Sequence, residues 1–110
     1  MDIKFSDKRL GKLASDIKKC KKELGEKQGT IFLKRLTDLR DAETLEDVRY
    51  LPGRYHELTN NRKGQWACDL NHPYRLIFTP QETPIPINQA GQYIWCEIVG
   101  IEIVEIVDYH

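Results

Sequence analysis

Apolar and polar residues alternate at the start of the chain: Ile3 and Phe5 stand between Asp2, Lys4 and Ser6, a period of two that suits a strand. Ser6 stands where a helix N-cap would, and from residue 7 the period changes. Leu10, Leu13, Ala14, Ile17 and Leu24 recur at helical spacing, with lysines and Glu23 on the other face. Gly25 supplies a stop, so residues 7–24 are expected to form one amphipathic helix. Phe32, Leu33, Leu36 and Leu39 repeat the pattern over residues 26–41, and the two helices make a hairpin about Gly25. Thr44 and Asp47 then have the spacing of a capping box, which predicts a short helical turn that Pro52-Gly53 ends.

Beyond this point β-branched and aromatic residues replace Lys and Leu. Residues 55–58, 65–70 and 74–78 read as three strands, with Asn60-Asn61, Lys63-Gly64 and Asn71-His72-Pro73 supplying the turns of an antiparallel meander. Residues 80–92 hold Pro80, Pro84 and Pro86 with little periodicity and are expected to be an exposed loop without a single conformation. Over residues 93–107 two signals conflict. Glu102, Glu105 and Asp108 recur every three residues, as in a helix, while the Ile and Val content favours a strand covered on both sides. The β propensity decides for a strand, with Gly100 marking a bulge or kink within it. The expected fold class is α+β: two layers, a mostly antiparallel sheet in the order β-α-α-β-β-β-β, and two N-terminal helices packed on one face.

Length and composition fit one domain over residues 1–110, since 110 residues leave no room for two independent cores. No run approaches the roughly 20 apolar residues of a membrane span and the N-terminus lacks a signal-peptide layout, so a soluble cytoplasmic protein is expected. Cys20, Cys68 and Cys96 are too widely spaced for a zinc site, and reduced, buried thiols are expected at all three. The net charge is zero but unevenly spread, with +5 on residues 1–63 and −5 on residues 64–110. The basic half offers a surface for RNA phosphates, although much of its charge is a lysine cluster, residues 18–22, that also suits a solvated helix face.

Four stretches carry a resemblance: Leu51-Pro52-Gly53-Arg54-Tyr55-His56-Glu57-Leu58, then Asn61-Arg62-Lys63-Gly64-Gln65-Trp66, then His72-Pro73-Tyr74-Arg75-Leu76-Ile77-Phe78, and Val104-Glu105-Ile106-Val107-Asp108-Tyr109-His110. In order and spacing they resemble the plasmid-maintenance killer proteins, the HigB branch of the RelE/ParE toxin superfamily. The resemblance implies a RelE-like fold and a toxin that enters the ribosomal A site and cuts mRNA there. It also implies a helix-turn-helix antitoxin, HigA-like, as partner, with no metal or other cofactor. By position His56 matches the histidine of the active cleft, Arg75 the arginine of the following strand, and Asp108, Tyr109 and His110 the terminal triplet. This chain departs from the pattern at Leu58-Thr59-Asn60-Asn61-Arg62, where many relatives have Leu-Lys-Gly-Asp-Arg. Arg62 and Lys63 are the candidates to replace the missing lysine, and Asn tolerates the left-handed turn the glycine would make.

The residue types suit metal-free RNA cleavage, which needs a base for the 2′-hydroxyl, an acid for the departing 5′-oxygen and a cation for the phosphate. His56 and His110 can serve as base and acid, in either order, because imidazole titrates near neutral pH, and Asp108 can orient one of them or act as base itself. Arg75 clamps phosphate, and Tyr109 offers a face for an unpaired base. In an extended chain Asp108 and His110 point to one face and Tyr109 to the other. His72 is expected to be structural, and Trp66, Trp95, Tyr74 and Tyr93 to be core or cleft-wall aromatics. Two other readings stand beside this one: a ParE-like toxin that inhibits DNA gyrase, and an inactive homologue that only binds its antitoxin. The two histidines and the Asp-Tyr-His end speak against the gyrase reading.

Overall fold

A computed structural model describes residues 1–108. Strand β1 (Asp2–Phe5) is followed by three helices, α1 (Lys8–Ser15), α2 (Ile17–Leu24) and α3 (Glu26–Asp41). The single helix expected over residues 7–24 is thus broken, and Asp16 breaks it. Its backbone is extended, at φ −136° and ψ 98°, and its carboxylate accepts from the Lys19 N–H at 3.0 Å, closing α1 and capping α2. A short carboxylate competes with the helix for backbone donors, which is why Asp favours caps over helix interiors. The break turns Ile17 outward, 62 % exposed, and gives its buried place to Cys20. Replacing Asp16 by alanine is expected to cost about 1 kcal/mol, read as a lower urea midpoint with an unchanged slope. The cap of α1 is Asp7, which accepts from Arg9 N–H at 2.8 Å, and not Ser6, whose hydroxyl donates to Glu102.

Helix α3 has the expected bounds and buries Phe32, Leu36 and Leu39. It packs closely on α2: a Cβ at Gly29 would stand 3.0 Å from the Lys21 Cα. The capping box is present on a 3-10 turn at Leu45–Val48, where the Asp47 carboxylate accepts from the N–H groups of Glu43 (2.8 Å) and Thr44 (3.3 Å).

The second half supplies β2 (His56–Glu57), β3 (Trp66–Asp69), β4 (Tyr74–Pro80) and β5 (Gly100–Asp108), and the sheet runs β1-β5-β4-β3-β2. Every pairing is antiparallel except that of β1 with β5. The helices cross from β1 and bury one face of the sheet, on which Leu10, Leu13, Phe32, Leu36 and Leu39 meet Trp66, Cys68, Leu76, Phe78, Ile101 and Ile103. Fully burying one such side chain is worth about 1.5–3 kcal/mol, so this interface is the main stabilising term.

Four expectations for the C-terminal third are corrected. The strand does not begin at residue 93: Trp95–Glu97 is a 3-10 turn that drives Trp95 into the core, and Gly100 opens β5 rather than kinking it. A side chain at Gly100 would collide with the Gln81 carboxamide. The bulge lies at Val104, because Ile77 pairs with Glu105 and Phe78 with Ile103. This resolves the conflicting three-residue period. The extra residue brings Glu102 and Glu105 to the same face of a strand, which a period of two forbids. Nor is β5 covered on both sides throughout: Ile101 and Ile103 are buried, whereas its last five residues are half-buried or exposed. The 80–92 segment is also more ordered than its prolines suggested. Pro80 ends β4, Ile87 bridges to Tyr93, and the Asn88 side chain accepts from the N–H groups of Ala90 (2.9 Å) and Gln92 (3.0 Å).

Cys20 and Cys68 are buried as expected, but Cys96 is exposed, since a turn that points Trp95 inward points its neighbour out. Burial pushes the Cys68 thiol up to about 12, and Cys20 is raised by the same cause. A thiol reagent at pH 8 is therefore expected to modify Cys96 rapidly, and Cys20 and Cys68 only after denaturation. Equal rates for all three would contradict this packing.

Candidate functional site

The sheet face opposite the helices is covered over its middle, where Ala67 and Ile77 are fully buried, and accessible toward its edges, and its side chains can be read row by row from the strand register. One row is His56, Ala67, Ile77 and Glu105, each directly opposite the next. The adjoining row holds Asp69, Arg75 and Val107, and Arg54 reaches into it from the chain just before β2. Neighbouring strands lie about 4.8 Å apart and β3 runs between β2 and β4, so His56 and Arg75 stand in adjacent rows of one face, roughly 10 Å apart across the sheet.

His56 is oriented by its own strand. Its Nδ1 lies 2.6 Å from the Arg54 carbonyl oxygen. A carbonyl only accepts, so Nδ1 carries the proton and donates, which makes Nε2 the basic nitrogen of the neutral ring. Arg75, about one quarter exposed, places Nε 3.4 Å from Asp69 Oδ1. Asp69 is held from three further sides. Its N–H donates to the Gly53 carbonyl at 2.7 Å, its own carbonyl accepts from Arg35 Nε of α3 at 2.8 Å, and its carboxylate receives Arg54. Gly53, with φ +123°, is needed for this approach, because a Cβ there would stand 2.8 Å from Arg35 Nε.

Arg62 lies where the 3-10 turn Asn60–Arg62 folds over this face. Its guanidinium donates to Gln65 Oε1 at 2.9 Å and to Glu105 Oε2 at 3.2 Å, so one side chain ties the turn before β3 to β5. Asn60 adopts the left-handed conformation, φ 57°, that the glycine-less turn requires. Between this turn and the end of β5 is a cleft of about 400 Å³ lined by Asn61, Arg62, Val107 and Asp108. Asp108 stands opposite Tyr74 in the register, in the set of Leu76 and Phe78 and not that of His56 and Arg75. The candidate residues therefore come together as His56 with Arg75 and as Arg62 with Asp108, while Tyr109 and His110 lie outside the described residues.

Lys63 is turned elsewhere. It lines a larger cleft, about 870 Å³, on the other side of β2 with Glu57, Tyr93 and Trp95. There Trp95 Nε1 donates to Glu57 Oε2 at 2.7 Å and Arg49 sits 4.4 Å above the Trp95 ring. Trp66 is fully buried and Tyr74 forms a cleft wall. The sequence reading missed Arg54 and Asp69. Their signal was available only in the folded hairpin, where the Asp69 N–H donates to the Gly53 carbonyl and so brings Arg54 beside Asp69. Among the described residues no group of three His, Cys, Asp or Glu side chains is arranged to hold a metal ion, and no helix is long and apolar enough to cross a membrane.

Helices on one face of a mostly antiparallel sheet, with β1 returning beside the last strand, make this an α+β fold of the RelE-like type. Two solved structures from Staphylococcus aureus share it over the whole chain. One is a chain of the YoeB–YefM complex, with a TM-score of 0.59 and 17 % identity, covering 100 % of this chain and 97 % of that one. The other is the YoeB dimer, with a TM-score of 0.55, 18 % identity and the same coverage. No family model and no curated protein matches the sequence.

Proposed function

We propose that this chain is the toxin of a type II toxin–antitoxin pair, a ribosome-dependent mRNA endonuclease of the HigB type, acting in the cytoplasm. The observation that carries the reading is the orientation of His56: its Nδ1 is committed to the Arg54 carbonyl beside the arginine row, which leaves Nε2 as the base. In the proposed reaction Nε2 takes the proton of a 2′-hydroxyl and the 2′-oxygen attacks the adjacent phosphorus. The bond to the 5′-oxygen breaks, and that oxygen takes a proton from His110, the acid in this scheme. The products are a 2′,3′-cyclic phosphate and a 5′-hydroxyl, and no metal or cofactor is required. Arg75 carries the charge that develops on the phosphate, as a guanidinium fork is suited to do. Arg62 lines the path of the strand and Tyr109 stacks a base. Lys63, facing the other cleft, is assigned to ribosome contact rather than to the cut phosphate.

The whole-length likeness to a chain of the YoeB–YefM complex supports a protein partner, here a helix-turn-helix antitoxin. The test is expression of the chain alone. Growth arrest with loss of amino-acid incorporation, relieved by the neighbouring reading frame, is the expected result. Arrest with intact translation and inhibited gyrase supercoiling would instead establish the ParE-like reading, and no arrest the inactive one.

A further inference from the structure

Residues 81–99 join β4 to β5, neighbouring antiparallel strands that a turn of about two to five residues suffices to connect. The long connection is pinned along its length. The Ile94 N–H donates to the Pro86 carbonyl at 3.0 Å, the Leu45 N–H to the Ile98 carbonyl at 3.0 Å, and the Val99 N–H to the Glu82 carboxylate at 2.7 Å. Held in this way, residues 88–96 line one side of the cleft of about 870 Å³, and residues 57–60, at the free edge of the sheet, line the other. Small-ligand sites have volumes of about 300–1,000 Å³.

Three groups in the lining are placed for one kind of ligand. The Arg49 guanidinium carbon stands 4.4 Å above the centre of the Trp95 ring, and its Nη1 donates to Glu46 Oε2 at 3.0 Å. The cation is thus fixed with the buried indole on one side and the cleft on the other. Glu57 accepts from Trp95 through Oε2, while its Oε1 has no partner among the described residues. Lys63 Nζ makes no hydrogen bond or ion pair among the described residues. Glu46, Arg49, Glu57 and Lys63 together leave no net charge, so the lining does not select for phosphate alone. A planar cation with one face open, a carboxylate oxygen and a single ammonium match the three parts of a nucleotide. The guanidinium plane stacks a base, the carboxylate accepts from N–H or hydroxyl groups, and the ammonium pairs with a phosphate.

We infer that this cleft binds one unpaired nucleotide, with its base on the open face of Arg49 beside Tyr93, a donor group on Glu57 Oε1 and its phosphate at Lys63. A base extruded from folded RNA and a free mononucleotide present the same chemistry. Folded RNA is the expected source, which rests on the ribosome-dependent reading; the nucleotide chemistry rests on the cleft alone.

The test is binding of a fluorescent RNA hairpin with one bulged adenosine to the intact chain, by anisotropy, beside the same hairpin fully paired. The bulged hairpin is expected to bind about tenfold more tightly, as one stacked base provides. Arg49→Ala should erase that preference. Arg49→Lys keeps the charge but not the plane and should erase it too, and it carries the test if the alanine variant melts early. With AMP and adenosine as competitors, Lys63→Ala is expected to weaken AMP severalfold and leave adenosine unchanged. Equal binding of the two hairpins, full preference in Arg49→Lys, or equal loss of AMP and adenosine in Lys63→Ala would each overturn the inference. Displacement by AMP is expected only at millimolar concentration; displacement at micromolar concentration would overturn the RNA source and uphold the nucleotide chemistry. No ribosome is present in these measurements, so they stand apart from cleavage. An uncut message beside an Arg49-dependent preference would remove the nuclease reading and leave this site, and a cut message without that preference would do the reverse.

Discussion

Replacing His56 by alanine is expected to lower cleavage of translated mRNA by about 10²- to 10⁴-fold, the usual contribution of a positioned acid or base. The expectation follows from the ring's orientation. With Nδ1 donating to the Arg54 carbonyl, the neutral ring has only Nε2 left to take a proton, and the backbone of its own strand keeps it so. The substitution should leave the fold intact, because His56 lies on a two-residue edge strand and belongs to no part of the helix-side core. The measurement is primer extension on ribosome-bound messages, with a thermal melt as control. Arg75→Ala should act on the same step, lowering the cleavage rate more than ribosome binding if the guanidinium works mainly in the transition state. A His56→Ala protein that cuts at the normal rate would remove the base from this scheme.

The second large effect is expected at the chain's end. His110→Ala, and equally removal of residues 108–110, should abolish toxicity while leaving antitoxin binding and the melting temperature nearly unchanged. The stability half of this expectation rests on where β5 is held. Its buried side chains are Ile101, paired with Ile3 and Pro80, and Ile103, paired with Phe5 and Phe78, near the start of the strand, whereas Asp108 is exposed. A truncation that unfolds the protein, or one that remains fully toxic, would contradict the assignment of the acid to this end.

Much of the fold was legible because it depends on local signals. Helix α3 follows from one unbroken apolar stripe, and the meander follows from turn residues at the right intervals. The break at Asp16 was not legible. Leu10 through Leu24 keep helical spacing across it, and only the capping geometry of Asp16 against Lys19 shows that the chain starts a new helix there. The bulge at Val104 was misread for a related reason. A three-residue recurrence of acids looks helical, yet one unpaired residue in a strand produces it too. For the site, the sequence resemblance named His56 and Arg75, and the register sets both on the face opposite the helices. Arg54 and Asp69 could not be found that way, because their pairing is a property of two strands and of neither sequence segment alone.

The most direct test of the central claim is the chemistry of the cut ends. Purified protein is incubated with ribosomes translating a defined message, and the RNA fragments are examined for their terminal groups. A 2′,3′-cyclic phosphate on the upstream fragment and a 5′-hydroxyl on the downstream one, formed only when ribosomes are present, is the predicted result. An intact message, or fragments ending in a 3′-hydroxyl and a 5′-phosphate, would contradict attack by the 2′-oxygen and with it the roles given to His56, Arg75 and His110.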